Sequence, residues 1–227
     1  MQPPDFNAMI DAFFDREKKK KDIGRYYPSE IGYCLRKVWY SYKEPIEFAP
    51  AQIKIFELGN IMHDFIAKVL KSDKNPHIEL LKEEFPFKEQ VEYFVISGRI
   101  DDLILLKADG TQLLVEVKSS KSIAYINEAS SAHESQLQLY MHILGVHDGV
   151  VLYVDKTNLQ TKWFPAKYDE AKAKAVINRF KALHKCLVND VLPIPEARGS
   201  PKSIWMCRFC EYNDKCYSAT PKSKEWP

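Results

Sequence analysis

Residues 98–118, GRIDDLILLKADGTQLLVEVK, contain the pattern that decides the fold. Two apolar runs flank the Asp-Gly pair at 109–110, and this arrangement favours a tight hairpin turn between two strands. The hairpin is expected to fold Asp101 back close to Glu116 and Lys118. Since side chains alternate along a strand, Glu116 and Lys118 share one face of it. The pattern therefore predicts that two carboxylates and a lysine converge on a sheet.

This convergence suits a divalent metal ion. Val115 and Val117 alternate with the charged residues and are predicted to face a core, so a rigid sheet holds the charged groups. Hard cations such as Mg2+ prefer carboxylate oxygens and keep positions open for water and phosphate oxygens, which fits phosphodiester hydrolysis. The alternative is an exposed strand face on which the charges form a ladder of ion pairs.

Four of the five cysteines form a second group with metal-ligand spacing. Cys207, Cys210 and Cys216 lie near the C-terminus, and Cys34 lies far upstream. Four thiolates complete the shell of either an iron-sulfur cluster or a structural zinc ion, and spacing does not distinguish the two. Disulfides are the alternative, but the odd number of cysteines and the lack of a signal-peptide pattern predict a reducing, cytoplasmic location. Cys186 lies in a helical pattern and is predicted to be a small packed side chain.

Length and composition predict one compact α/β domain. The chain has 227 residues, of which 45% are hydrophobic, so it can bury a core without disulfides. No apolar run approaches the roughly twenty residues of a membrane span. The net charge is only +2, so bulk charge does not indicate a nucleic-acid partner.

Helical and strand periodicities alternate along the chain. Ser29 is predicted to cap a helix that carries Cys34 in its early turns. Pro193 and Pro195 interrupt regular structure, so roughly the last 35 residues must fold back as a loop to bring three cysteines to Cys34. The predicted helices span 6–21, 28–45, 50–71, 131–144 and 169–189, and the predicted strands lie near 82–88, 91–99, 102–107, 112–118, 150–154 and 161–164.

The order of these motifs resembles a known nuclease family. It is similar to the RecB-like branch of the PD-(D/E)xK nucleases and, within that branch, to the CRISPR-associated exonucleases with an iron-sulfur cluster, the family numbered four in that system. The resemblance runs from about residue 28 to residue 216. The motifs, in chain order, are Cys34, Gly59-x3-His63, Gly98-Arg99-Ile100-Asp101, Glu116-x-Lys118, Gln136-x3-Tyr140 and the three-cysteine tail.

The resemblance implies a fold and an activity. The expected fold is an α/β restriction-endonuclease-like core with a mixed central sheet flanked by helices, in one domain over 1–227. Segments 28–45 and 192–220 are expected to form an iron-sulfur subregion that joins the two ends, with a 4Fe-4S cluster expected and zinc or a 2Fe-2S cluster as alternatives. The implied activity is metal-dependent exonucleolytic cleavage of DNA, single-stranded or with single-stranded ends, during CRISPR adaptation in antiviral defence. The CRISPR integrase complex is the expected partner.

The resemblance also implies roles for the site residues. His63 is expected to join Asp101, Glu116 and the main-chain carbonyl of Val117 in holding Mn2+ or Mg2+, the imidazole making Mn2+ as plausible as Mg2+. Lys118 is expected to orient the attacking water or to offset charge on the phosphorus centre.

Substrate contacts are predicted from the remaining motif and from nearby cations. Gln136 and Tyr140, one helical turn apart, are expected to face the substrate, and a plain polar helix face is the alternative. Two other functions stay open at this point, namely a repair or recombination nuclease unconnected to CRISPR and a non-catalytic DNA-binding subunit. The predicted phosphate contacts are Arg36, Lys37, Arg99 and Lys121.

Overall fold

Helices surround a six-stranded mixed sheet in the computed structural model, which describes residues 3–14 and 20–219. The helices are α1 (Phe6–Phe14), α2 (Leu35–Lys43), α3 (Pro50–Leu70), α4 (Ser131–Leu144), α5 (Glu170–Val188), α6 (Trp205–Arg208) and α7 (Asn213–Ser218), with a 3-10 turn at Pro28–Glu30. The strands are β1 (Arg25–Tyr26), β2 (Ile78–Val91), β3 (Phe94–Leu106), β4 (Thr111–Ser120), β5 (Asp148–Asp155) and β6 (Thr161–Lys167).

The long strand β3 organises the sheet. It pairs antiparallel with β2 along most of its length, and a turn at Gly110, whose φ is +75°, returns the chain antiparallel into β4. The chain then passes through α4 before β5 pairs parallel with β4, and β6 completes the sheet antiparallel to β5. A mixed central sheet flanked by helices confirms the fold class expected from the sequence.

A gap along one edge of β3 opens the site. β1 pairs with β3 at Val95 and Ile96, whereas β4 begins its pairing at Asp102. Along this edge of β3, residues 97–101 follow the end of the pairing with β1 and precede the start of the pairing with β4. Four of these residues line a cleft of about 730 Å3. The break between the two strands therefore gives the Asp101 carboxylate access to this cleft.

Apolar residues pack on both faces of the sheet. On one face, Ile66 of α3 packs against Ile104, Val115 and Val117, as the strand alternation predicts for the two valines. On the other face, α2, α4 and α5 contribute to the larger core cluster. Because both faces of β4 are covered, the Glu116 side chain is 0% exposed, and the alternative of an exposed charge ladder is wrong.

Local capping signals explain where the two helices beside the site begin. Pro50 occupies the first turn of α3, and the Gln52 side chain accepts a hydrogen bond from the Ala49 backbone N–H at 3.0 Å. Ser130 caps α4 by accepting from the His133 backbone N–H at 3.3 Å. These helices were predicted over 50–71 and 131–144, and the structure confirms both to within one residue.

The helix α2 begins later than predicted. It starts at Leu35, and Cys34 is its N-cap residue rather than a residue of its early turns. The Leu35 backbone N–H donates to the Glu196 carboxylate at 2.8 Å, across 161 residues of sequence. The prediction that Ser29 caps this helix is therefore wrong, because the cap comes from a distant part of the chain.

Several other elements differ from their predictions. β2 extends beyond the strand predicted near 82–88, and the C-terminal stretch predicted to be a loop contains the short helices α6 and α7. The strands predicted near 91–99 and 102–107 are one continuous strand, β3, and the short β1 was not predicted. The helix predicted over 6–21 is described from Phe6 to Phe14, residues 15–19 lie outside the described residues, and Lys20 and Lys21 are not helical. In the part of the chain that is described, no helix is both long and apolar enough to span a membrane.

Candidate active site

A histidine and two carboxylates from three elements meet in the cleft. His63 Nδ1, on α3, lies 3.3 Å from Asp101 Oδ1 on β3 and 3.7 Å from Glu84 Oε1 on β2. One ligand atom from each residue lies within 4.8 Å of the others. Burial opposes charge on His63, but hydrogen bonds to Asp101 and Glu84 outweigh it and raise its pKa to about 10. The two carboxylates thus stabilise positive charge at this point.

Asp101 is held in place by the neighbouring strand. Its Oδ2 accepts a hydrogen bond from the Val117 backbone N–H at 2.8 Å, in a buried position. One carboxylate oxygen therefore fixes the side chain to β4, while the other faces His63. This is the contact between Asp101 and the Glu116–Lys118 strand that the hairpin pattern predicted.

Glu116 and Lys118 form a buried ion pair. Glu116 Oε1 lies 2.5 Å from Lys118 Nζ, and Glu116 Oε2 has no hydrogen-bond partner among the described residues. Burial, followed by repulsion from Asp101, raises the pKa of Glu116 to about 7. The Lys118 pKa is also raised, since the Glu116 and Asp101 carboxylates outweigh the effect of burial. A fully buried carboxylate oxygen without a partner is costly in a folded protein, and a bound cation would satisfy it.

Negative charge is concentrated around these residues. Asp102 is only 3% exposed, and its pKa is raised to about 7 by burial and then by the charges of Asp101 and Glu83. Several carboxylates crowd one region with few cations to offset them. The donor set of carboxylate oxygens and one imidazole is the set that Mg2+ or Mn2+ accepts, so the residues present fit such an ion.

Gln136 and Tyr140 line the same cleft from α4. The Gln136 amide donates to the Tyr140 hydroxyl at 2.9 Å, and both side chains are buried. Burial, together with the Glu116 and Asp101 charges, raises the Tyr140 pKa well above its usual range, so the hydroxyl keeps its proton. Because Tyr140 accepts from Gln136, its own O–H is directed elsewhere and can donate to a third group.

The four predicted phosphate contacts lie in different surroundings. The prediction for Arg36 is wrong, because its side chain is 5% exposed and its Nε donates to the Pro193 carbonyl at 2.6 Å inside the protein. Lys37 is half-buried and pairs with Glu211 at 2.9 Å. Arg99 is 66% exposed and lines the cleft, and Lys121 is exposed. These last three contacts stay predictions.

Glu84 is the site residue that the sequence did not reveal. It stands beside Glu83 in a strand of mixed polar and apolar residues, where a glutamate is unremarkable. Its backbone φ of +44° is in the left-handed region, which costs a non-glycine residue roughly 1 kcal/mol or more and clusters at functional sites. The register of β2 against β3 places Glu84 opposite Asp101 and turns Glu83 to the other face, and no local sequence pattern fixes that register.

His133, on α4, does not join the metal-type site. Its Nδ1 hydrogen-bonds the Tyr153 hydroxyl at 2.8 Å. Burial and, next, the Lys118 charge lower its pKa to about 4, so the imidazole is neutral. Its role in the structure is to connect α4 to β5.

The four predicted cluster cysteines line a second, smaller cavity. Cys34, Cys207, Cys210 and Cys216 surround about 80 Å3 between α2 and the C-terminal segment. None of the five cysteines, all of which lie among the described residues, forms a disulfide, and Cys186 packs on the core away from this cavity.

The thiols that line this cavity lie close enough together to affect one another's pKa. Burial raises the Cys207 pKa, and the nearby Cys34 and Cys216 sulfurs raise it further. Arg36 Nη1 donates to Cys216 Sγ at 3.7 Å, which places a cation beside this sulfur. Thiols of this kind are held as thiolates when a metal binds them.

The fold and the cleft define the class of the protein. A mixed sheet carries an aspartate on one strand and a Glu-x-Lys pair on the next, with a histidine from a flanking helix beside them. This is the arrangement of a PD-(D/E)xK nuclease. The chain belongs to the PD-(D/E)XK nuclease superfamily, whose profile matches residues 10–217.

More specific similarities agree with this class. The chain is 26% identical over 205 residues to the CRISPR-associated exonuclease Cas4 of Saccharolobus solfataricus, a match that covers 86% of this chain and 89% of that protein. Two solved structures share the fold. The crystal structure of SSO0001 superposes with a TM-score of 0.59 at 20% identity, covering 96% of this chain and 95% of the other. An alkaline exonuclease from Laribacter hongkongensis superposes with a TM-score of 0.51 at 12% identity, covering 74% and 90%. The family resemblance seen in the sequence is confirmed.

Proposed function

We propose that this protein is a divalent-metal-dependent DNA exonuclease that acts on single-stranded DNA or single-stranded ends. The observation that carries the proposal is the fully buried Glu116, whose Oε2 has no hydrogen-bond partner among the described residues and which stands beside His63, Asp101 and Lys118. Structural ion pairs rarely leave a charged oxygen unsatisfied in this way. A cation bound to Oε2 would offset the free-energy cost of burying this oxygen without a hydrogen-bond partner.

The side chains divide the work of phosphodiester hydrolysis. His63, Asp101 and Glu116 would hold the ion, with the Val117 carbonyl as a further predicted ligand. A bound Mg2+ or Mn2+ would polarise the scissile phosphate and lower the pKa of a coordinated water molecule. Lys118, held by Glu116 at 2.5 Å, is positioned to orient that water or to offset charge on the phosphorus centre.

Gln136 and Tyr140 are proposed to position the DNA. Their hydrogen bond fixes the Tyr140 hydroxyl as a donor facing a cleft whose volume of about 730 Å3 admits a nucleotide. Arg99 and Lys121 are exposed cations available to neighbouring phosphates.

The cysteine cavity is proposed to hold a 4Fe-4S cluster with a structural role. In the part of the chain that is described, no three cysteine sulfurs lie within 4.8 Å of one another. Thiolates on one zinc ion would lie about 3.8 Å apart, given a Zn–S distance of about 2.3 Å. The cavity volume of about 80 Å3 also exceeds the space for one water, about 10–15 Å3. Both observations favour a group larger than a single ion that joins segments 28–45 and 192–220.

A role in CRISPR adaptation is proposed from the similarity to the Cas4 exonuclease, which extends over most of both chains. Such a role would have the enzyme process DNA before its integration, with the CRISPR integrase complex as partner. A nuclease in repair or recombination would use the same chemistry.

Digestion of end-labelled DNA tests the proposal. Single-stranded and double-stranded substrates, labelled at either end, are incubated with anaerobically purified protein in Mn2+, Mg2+ or chelator. We expect stepwise shortening of the single-stranded substrate with either metal and none in chelator. Glu116→Gln is the control, since it keeps the shape of the side chain and removes its charge, and it should not cleave. Equal cleavage in chelator, or by the Glu116 variant, would refute the proposal.

A further inference from the structure

Glu84 occupies a position in the cleft that no predicted role explains. Its Oε1 lies 3.7 Å from His63 Nδ1, and its Oε2 lies 3.0 Å from Arg99 Nη1. The carboxylate thus contacts an imidazole on one side and a guanidinium on the other. One of its oxygens also lies within 4.8 Å of a ligand atom of His63 and of Asp101, a spacing that one ion could bridge.

The backbone of Glu84 is in the left-handed conformation, which an ordinary ion pair between strands does not require. Its φ of +44° interrupts β2, which otherwise pairs with β3 from Val91 back to Glu83. Glu83 pairs across the sheet with Asp102, and Phe85 pairs with Ile100. A regular extended residue between these two pairs would form an ordinary ladder, whereas the left-handed turn at Glu84 departs from it.

We propose that Glu84 is a further side-chain ligand of the cation site, and that the Arg99 guanidinium holds its carboxylate until a cation binds. The inference rests on the proposed function, because it concerns the same ion. Two independent observations support it. The buried Glu116 Oε2, without a partner among the described residues, indicates a cation in this cleft, and the pairing of β2 with β3 sets Glu84 opposite Asp101 with its carboxylate 3.7 Å from His63.

Arg99 is suited to a displaceable contact. It lies on β3 next to the Glu84 strand, and its side chain is 66% exposed, so it can leave the carboxylate for solvent or for a phosphate. An exposed pair of this kind changes an affinity by at most about fivefold. Arg99 therefore competes weakly with the ion, while Glu84 itself contributes directly to binding.

Manganese titration by calorimetry, without DNA, tests this on the full chain purified anaerobically. Glu84→Gln should weaken Mn2+ binding by about tenfold or more, in the range seen when groups around a metal are removed. Glu83→Gln is the matched control, because Glu83 pairs with Lys71 outside the cleft, and it should bind as the wild type does. Arg99→Gln should strengthen binding up to about fivefold, and it should have no effect in the Glu84→Gln background.

Several results would overturn the inference. Wild-type Mn2+ affinity in Glu84→Gln would mean that Glu84 only neutralises His63. If Arg99→Gln still strengthened Mn2+ binding in the Glu84→Gln background, Arg99 would affect the ion without acting through Glu84. Glu84→Gly covers the case in which the glutamine variant does not fold, because glycine accepts a positive φ, and it too should lose affinity. Asp101→Asn, titrated in parallel, separates the two claims: if it binds Mn2+ normally, the proposed function itself fails.

Discussion

Replacing Lys118 by glutamine should destabilise the protein in a pH-dependent way. Lys118 contacts a carboxylate that is 0% exposed, with 2.5 Å between the charged atoms. Removing one partner of a buried ion pair costs about 3–5 kcal/mol. Glu116, with a pKa of about 7, can avoid an unpaired charge by staying protonated, so the expected loss at pH 8 is only about 1–2 kcal/mol. For a chain of this size, that lowers the melting temperature by roughly 2–8 °C.

The sign of the pH dependence follows from Glu116. Its pKa is raised from 4.5 to about 7, so the burial of its charge does not lower the folding stability below pH 4.5. The loss of stability develops as the pH rises through about 7. Without Lys118, the pKa of Glu116 rises further and the cost at pH 8 grows. At pH 5 the carboxyl group is protonated in both proteins, so the loss should be small.

The assay is thermal unfolding of the metal-free protein at pH 5 and pH 8. Lys167→Gln is the matched control, because Lys167 is likewise a strand lysine paired with a carboxylate, here Asp148 of the neighbouring strand, but its side chain is 82% exposed. The control should change stability by less than about 1 kcal/mol at either pH. A Lys118 variant with equal losses at both pH values would refute the argument. Turnover of the variant should fall by about a hundredfold or more.

Three further outcomes are expected. Mn2+ should raise the melting temperature more at pH 8 than at pH 5.5, because the raised pKa values of His63 and Glu116, about 10 and about 7, make protons compete with the ion at low pH; an equal shift at both pH values would contradict this. Cys216→Ser should lose iron, acid-labile sulfide and brown colour, whereas Cys186→Ser should keep them, as measured by metal analysis and absorbance. Gly32→Ala should lower the melting temperature, because its added Cβ would lie 2.3 Å from Ala132 Cβ on α4, and an unchanged value would mean that the loop moves freely.

The sequence predicted those parts of the site that depend on local patterns. The Asp-Gly turn and the two-residue strand period were enough to place Asp101 beside the Glu116–Lys118 strand, because a hairpin fixes its own register. The helices that carry His63 and Gln136 were also predicted, since their capping residues are adjacent in sequence.

The parts that the sequence did not predict depend on distant contacts. α2 starts at Leu35 because a carboxylate at Glu196 caps it, and no local pattern contains that partner. Arg36 was expected on the surface, but the fold-back of the C-terminal segment encloses it under Pro193. Glu84 belongs to the cleft because the pairing of β2 with β3 sets it opposite Asp101, and the sequence does not show that register.

The most direct test of the metal-dependent site is single-turnover cleavage of labelled single-stranded DNA by Asp101→Asn. This substitution keeps the side-chain shape and an acceptor for the Val117 N–H, so the protein should fold with a near-normal melting temperature and normal iron content. Wild-type protein stripped with chelator should regain cleavage when Mn2+ is added back. The variant should show no cleavage at any Mn2+ concentration that restores the wild type. Cleavage by the folded variant at the wild-type rate, or by the wild type in chelator, would contradict the account.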